Sequence, residues 1–393
     1  MKFTATVARG LEGALTDELR ELGLADLSAE AGAVHFTGSL EAGYRACLWS
    51  RIAARVLLDL AEVPAHHADA LYEGACKVRW SEHLGAKESL SVVCVGGNDA
   101  IRHRHFGAVR VKDAICDTLR STTGGRPTID ADHPDVMVHV HVRGDVAHLA
   151  IDLSGPPLHL RGRDRDGGPA PLRETLAAGI LRLSGWPTLA REGALLVDPM
   201  AGSGTIVIEA ADLVRQRAPG LRRTQWGFTA WRGHDAKLWR DLQHEARDKL
   251  LPAGGLRVFA SDRDADQVQR LEANLAKADM AGEVRVRRAE LSTVYPAGPG
   301  RTELPHGLLV TNPPYGVRLG EASEVDATWK LLGDVLRRRF LGWEGWILAG
   351  EAPLAKKLGL RPRQRIPLFQ GPLEGRLLAV PIADAPVARD VAE

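Results

Sequence analysis

Residues 195–211 read LLVDPMAGSGTIVIEAA: an apolar run, Leu195 to Val197, closes on Asp198, and a glycine-rich turn then feeds a helical pattern. A strand entering a helix through such a turn opens a parallel α/β sheet and places a ligand above the carboxyl end of the strand. Gly202 and Gly204 let the backbone approach that ligand closely, with Ser203 between them, and the helix starting near Thr205 offers unpaired N–H groups. The third glycine of a dinucleotide fingerprint would fall at Val207, and no G-K-[ST] follows for a triphosphate loop. The pattern suits a cofactor without a pyrophosphate.

Downstream the text keeps alternating: RVFASD, DADQVQRLEANLAKA, EVRVRR, GLLVTN, DATWKLLGDVLRRRF, GWILAG. Strand-helix alternation means a parallel sheet. Asp262 ends the second apolar strand, where a carboxylate accepts hydrogen bonds from both ribose hydroxyls of a nucleoside; its competing role is helix N-cap, which Asp264 fills equally well. Asp198 and Asp262 are 64 positions apart, and the surplus is a polar, tryptophan-bearing insert from about residue 215 to 255, expected to leave the site unharmed. A third apolar run ends in Asn312-Pro313-Pro314-Tyr315-Gly316. Prolines donate no backbone hydrogen bond, so their carbonyls are expected to stay free beside the side-chain carbonyl of Asn312. Two adjacent acceptors suit an amino group, and Tyr315 offers a face on which a base stacks.

Upstream the grammar differs. Residues 1–60 give a strand (KFTATVA), a helix (LEGALTDELREL), a strand (AVHFTG) and a second helix expected over LEAGYRACLWSRIAARVL, with Tyr44 and Trp49 in its core. Residues 61–155 repeat the mixture: a strand (ESLSVVCVGG), a helix (AVRVKDAICDTLRST) and the strand VMVHVHVRG, which turns Val136, Val138, Val140 and Val142 to one face and Met137, His139 and His141 to the other. No carboxylate or cysteine at ligand spacing joins these histidines, so no metal is expected. Arg102, Arg104, Arg110 and Lys112, with Arg120 and Arg126 beyond, form the densest basic patch of this half and a candidate phosphate contact. The turn-rich stretch from Asp152 to Pro171, DLSGPPLHLRGRDRDGGPAP, reads as a linker and adds Arg161 and Arg163 to that surface. The expected divisions are therefore 1–60, 61–155 and 156–393.

The chain has 393 residues, with 51 Lys plus Arg against 50 Asp plus Glu, a formal charge of +1. No global basic field exists, so a nucleic-acid partner must use a local patch. Cys47, Cys76, Cys94 and Cys116 form no C-x-x-C pair and read as reduced packing residues. With no apolar run of signal-peptide or membrane-spanning length, no membrane association and a cytoplasmic location are expected.

DPMAGSGT followed by NPPYG resembles the class I S-adenosylmethionine-dependent amino-methyltransferases, and the chain nearly end to end resembles the THUMP-domain RNA guanine methyltransferases. ATVARGLEGALTDELRELG and LWSRIAARVLL are similar to that family's N-terminal ferredoxin-like domain, VKDAICDTLRS and DLSGPPLHLRGRDRD to its THUMP core and exit, and APLRETLAAGIL to the helix before the cofactor loop. GFTAWRGHDAKLW is similar to the branch acting on large-subunit ribosomal RNA, which bacteria often carry fused to a second methyltransferase whose activity is not expected of this chain. The resemblance implies a ferredoxin-like plus THUMP α+β module followed by a Rossmann-like class I methyltransferase domain with a terminal antiparallel hairpin, here FQGPLEGRLLAVPI.

It further implies S-adenosylmethionine held by Asp198, Gly202, Ser203, Gly204 and Asp262, with Glu174 and Thr175 on the approach helix, and an amine site of Asn312, Pro313, Pro314 and Tyr315. The family's usual Asp after the third strand is absent from RVRRAEL, where Glu290 is the substitute. The implied activity is methylation of a guanine N2 in 23S ribosomal RNA, giving N2-methylguanosine, with transfer RNA as the alternative. Two rivals remain: a DNA adenine-N6 methyltransferase using the same loop, and a noncatalytic RNA-binding assembly factor.

Overall fold

The computed structural model describes residues 1–167, 172–252, 254–296, 306–315, 322–350, 352–370 and 373–383. The chain divides into two compact units whose segments interleave: residues 1–7, 15–162 and 219–248 form one, and 8–14, 163–218 and 249–393 the other.

The first unit is built on one eight-stranded sheet. Its elements are β1 (Lys2–Thr6), α1 (Glu12–Glu21, which straddles the division), β2 (Ala25–Glu30), β3 (Ala33–Thr37), α2 (Leu40–Trp49), β4 (Arg55–Pro64), α3 (Ala68–Cys76), β5 (Ser89–Gly97), α4 (Arg104–Thr123), β6 (Thr128–Ile129), β7 (Val136–Arg143) and β8 (Val146–Asp152). The strand order is β2-β3-β1-β4-β8-β7-β5-β6. Along β7 the four valines are buried and alternate with His139 and His141 on the opposite face, as a strand of period two requires.

The helix expected over residues 40–57 stops at Trp49. Ser50 turns to extended backbone, and the buried Glu18 carboxylate gathers the Ser50 hydroxyl and the backbone N–H groups of Arg51 and Ile52. The residues beyond become β4, a strand shared with β1 and β8, so residue 60 falls inside one strand. The insert also departs from expectation. Its α8 (Ala236–Asp248) and the loop before it join the first unit, where Trp226, Phe228 and Trp239 pack around the fully buried Tyr44. Arg223 donates to the carbonyls of Ser154, Pro156, Pro157 and Leu160, tying this segment to the exit from β8.

The second unit holds α5 (Glu174–Leu183), α6 (Trp186–Arg191), β9 (Leu195–Asp198), α7 (Thr205–Val214), β10 (Val258–Asp262), α9 (Ala265–Lys277), β11 (Arg285–Arg288), β12 (Gly307–Thr311), α10 (Ala322–Arg339), β13 (Glu344–Ala349), α11 (Ala352–Lys357), β14 (Gln364–Gln370) and β15 (Leu373–Pro381). Its sheet runs β11-β10-β9-β12-β13-β15-β14, parallel except for β15, which pairs antiparallel with β13 and β14. All four residues of β9 are buried, as for a central strand covered on both faces. The order reverses between β9 and β12, which puts a crevice above the carboxyl ends of these two strands. α10 seals it from one side, burying Trp329, Leu332, Val335 and Leu336 against Leu309 and Ile347.

Candidate active site

A cavity of about 760 Å³ lies in that crevice, walled by the turn after β9, the ends of β10 and β11, and the loop after β12. Asp198 is its floor. The carboxyl is buried, and Oδ1 accepts the Thr311 hydroxyl at 2.7 Å and the Met200 N–H at 3.2 Å. Burial pushes this acid up to about 7, and the charge of Asp262 adds to the rise while the two hydrogen bonds oppose it.

Two glycines in left-handed backbone shape the turn, and they serve different ends. Gly202, at φ +51°, faces the cavity and donates its N–H to Asp262 Oδ2 at 3.0 Å. Gly204, at φ +88°, stands behind the wall, where a Cβ would fall 2.0 Å from Leu271 Cδ1. The space a Cβ would take there is filled by α9, and Gly204 is not among the residues that wall the cavity. Ser203 lines the cavity, and its carbonyl accepts from the buried Asn274 amide at 3.0 Å.

Asp262 is free of helix capping, because Asp264 caps α9 by accepting the Asp266 N–H. Its two oxygens take one backbone N–H each, from Gly202 and Asp264. A carboxylate has about four acceptor positions, so two remain for hydroxyls in the cavity. Glu290 lies on the wall beyond β11, exposed. Glu174 and Thr175 do not reach the wall. They are buried on α5, and Arg165 holds Glu174 at 2.6 Å.

The loop after β12 supplies the opposite wall. Pro313 is buried and Tyr315 half-buried, and both line the cavity with Asn312 and Pro314. Gly316 lies outside the described residues. Asn312 Oδ1 is buried and accepts no hydrogen bond. The Pro314 carbonyl, expected to be free, accepts the indole N–H of Trp329 at 3.1 Å. Burial raises the Tyr315 hydroxyl above its ordinary range, against a hydrogen bond with Asn312.

The basic residues divide. Arg102 and Arg104 are exposed at the start of α4. Arg110 is paired with Asp69 at 2.7 Å and lies over the Tyr72 ring, and Lys112 pairs with Asp113 at 2.8 Å. Arg161 and Arg163 are not on the surface expected of them. Arg161 is buried, donating to the carbonyls of Leu158 and Arg51, and the side chain of Arg163, 4% exposed, is held between Glu209 and Asp212. Those acids sit on α7 inside the apolar text TIVIEAADLV, which is why the linker arginines read as solvated. Thr311, Asn274 and Trp329 went unnoticed in the sequence, where nothing but their place beside the motifs or on a helix marks them.

A switch-point crevice with a glycine turn, a ribose-type acid and an acceptor loop, carried on this strand order, defines a Rossmann-like methyltransferase. The chain belongs to the RMKL-like methyltransferase family, whose domain matches residues 161–379. An RlmL ferredoxin-like domain matches residues 2–57 and a THUMP domain residues 65–152. The chain is 43% identical over 388 residues to the ribosomal RNA large subunit methyltransferase K/L of Syntrophotalea carbinolica, covering 98% of this chain and 54% of that one. It thus spans about half the length of that curated relative. Among solved structures, a methyltransferase complexed with SAH matches with a TM-score of 0.85 at 27% identity, over 98% of this chain and 99% of the other. A Listeria monocytogenes protein named as an N6-adenine-specific DNA methylase matches at 0.83 and 28%, over 96% and 95%. Among the described residues no helix is long and apolar enough to cross a membrane.

Proposed function

We propose that the chain methylates the exocyclic N2 of a guanine in RNA, with 23S ribosomal RNA the favoured substrate over transfer RNA, and acts in the cytoplasm. The observation that carries the reading is Asn312 Oδ1, a buried acceptor with no donor among the described residues, on the loop that lines the same cavity as Asp262 and Gly202. A buried carbonyl without a donor costs about 1–3 kcal/mol, and an amino group entering the cavity relieves it. The cavity suits S-adenosylmethionine: Asp262 has acceptor capacity for ribose hydroxyls, Gly202 leaves room beside it, and Glu290 is the candidate partner for the adenine amine. When bound, that cofactor supplies an electrophilic methyl on a sulfonium.

The chain's own residues do the rest. Asn312 Oδ1 and the Pro313 carbonyl accept the two amine hydrogens, which turns the nitrogen lone pair toward the methyl and stabilises the positive charge that develops there. Tyr315 offers its ring to the base, which must be flipped or unpaired to reach the cavity. In this reading the RNA-binding domain lies within residues 61–155, with Arg102 and Arg104 as phosphate contacts, and the catalytic residues belong to the second unit.

Labelled S-adenosylmethionine, purified protein and unmethylated 23S ribosomal RNA, followed by nucleoside mass spectrometry, test the reading. N2-methylguanosine is expected. Parallel reactions on transfer RNA and duplex DNA address the alternatives; label appearing as N6-methyladenine in DNA would replace the reading with the rival that the Listeria relative's name represents. Neutralising Arg102 and Arg104 should weaken RNA binding and reduce its log–log salt slope by somewhat under one unit per contact, without changing cofactor affinity.

A further inference from the structure

The acceptor loop is pinned on both sides of Asn312. Before it, the Thr311 hydroxyl donates to Asp198 Oδ1 at 2.7 Å, which fixes the end of β12 to the end of β9. After it, the Pro314 carbonyl accepts the Trp329 indole N–H at 3.1 Å, and the Tyr315 ring lies on Gly350, where a Cβ would fall 2.2 Å from Tyr315 Cδ2. Between these pins stands Asn312 Oδ1, a buried side-chain acceptor without a donor among the described residues.

Two consecutive prolines have φ fixed near −65°, so the freedom left to the loop lies in ψ. The direction of a residue's carbonyl reports its ψ, and a hydrogen bond to the Pro314 carbonyl therefore locks the path into Tyr315. The donor is itself immobile. Trp329 is fully buried on α10 among Leu332, Leu336 and the rest of the core that faces β12 and β13. A loose Pro314 carbonyl would be a second polar group able to compete for the amine. Held by Trp329, it is removed from that competition.

We propose that Trp329 is a positioning residue for methyl transfer, its indole N–H holding the Pro314 carbonyl so that the amine meets Asn312 Oδ1 and the Pro313 carbonyl and not the carbonyl of Pro314. The proposal rests on the amine-methylating reading above. It assigns Trp329 no contact with substrate: it acts through the loop, at the level of alignment.

The test replaces the indole N–H of Trp329 in the full chain with sulfur, by site-specific incorporation of benzothienylalanine, which keeps the volume and removes the donor. Unmethylated 23S ribosomal RNA transcript and S-adenosylmethionine are the substrates. The expected result is a kcat about tenfold lower, equivalent to about 1.4 kcal/mol, with KM for RNA, cofactor affinity by calorimetry and Tm unchanged. Trp329→Phe should lower kcat to a similar extent, with Tm reduced as well. An unchanged kcat in the isostere overturns the proposal. So does a fall in kcat accompanied by equal falls in Tm and cofactor affinity, which would make Trp329 only a core residue. A native chain that transfers no methyl to any RNA overturns the functional reading itself, and is recognised before either variant is compared.

Discussion

The two loops that face each other across the cavity are built on opposite plans. The turn after β9 is glycine-rich and satisfies itself through backbone N–H groups, with Gly202 donating to Asp262 and Met200 to Asp198. The loop after β12 is proline-rich, is held by side chains from elsewhere in the sequence, and leaves a buried acceptor unsatisfied. A loop that must receive a ligand reversibly can be complete without it. A loop that must align a reacting group is better left incomplete, because the missing bond forms only when that group is in place. On this view damage to the first loop shows in binding and damage to the second in turnover.

The sharpest break would come from Asn312→Ala. Methyl transfer should fall about 10²–10³-fold, the loss typical of removing one preorganised hydrogen-bonding group, while calorimetric S-adenosylmethionine affinity stays the same. A matching loss of affinity would erase the contrast. Asp262→Ala should do the reverse, weakening cofactor binding by ~1.5–3 kcal/mol, the range for hydrogen bonds to a charged group, with single-turnover rates at saturating cofactor little changed. Gly350→Ala displaces the Tyr315 ring and should raise KM for RNA roughly 5–10-fold, the lower end of a base-stacking contribution; a change confined to kcat would mean that Tyr315 orients the amine and does not capture the base.

The smallest effect is a titration at the junction of the two loops. Asp198 is held near 7 in the folded chain against about 4 when unfolded, so the folded state binds the extra proton between these values. Its contribution to stability is complete below about pH 4 and is lost as pH rises toward 7. Melting temperatures from about pH 5 to about pH 8 should show this loss in the native chain and a flatter profile in Asp198→Asn. Thr311→Val, which removes the hydrogen bond opposing the rise, should carry the decline to higher pH.

How far the sequence could be read follows from how local the determinants are. Val136 to Val142 announce β7 because alternation is written in adjacent residues, and Asp198, Asp262 and Asn312 are legible because each ends an apolar run. The end of α2 was not, since the acid that gathers the backbone at Ser50 is Glu18, more than thirty residues earlier. The burial of Arg163 depends on Glu209 and Asp212, whose charges are hidden in apolar helix text. The fate of the Pro314 carbonyl depends on Trp329, which in the sequence is one more apolar residue at helical spacing. Chemistry carried by a residue type could be seen; chemistry decided by a partner across the fold could not.

The interleaving of the two units sets a timetable for synthesis. Residues 8–14 are translated some 360 residues before their partners in the second unit, which include β14: Phe369 donates to the Arg9 carbonyl, and Gly10 has no room for a side chain against the Pro367 carbonyl. At about 5–20 residues per second, roughly 20–70 s separate the two ends of that contact. The first unit likewise waits for residues 219–248, which bring Arg223 and the tryptophans around Tyr44. The first unit can close once residue 248 has emerged, whereas the second stays open until β14 and β15 are made, so residues 8–14 wait longest for their partners.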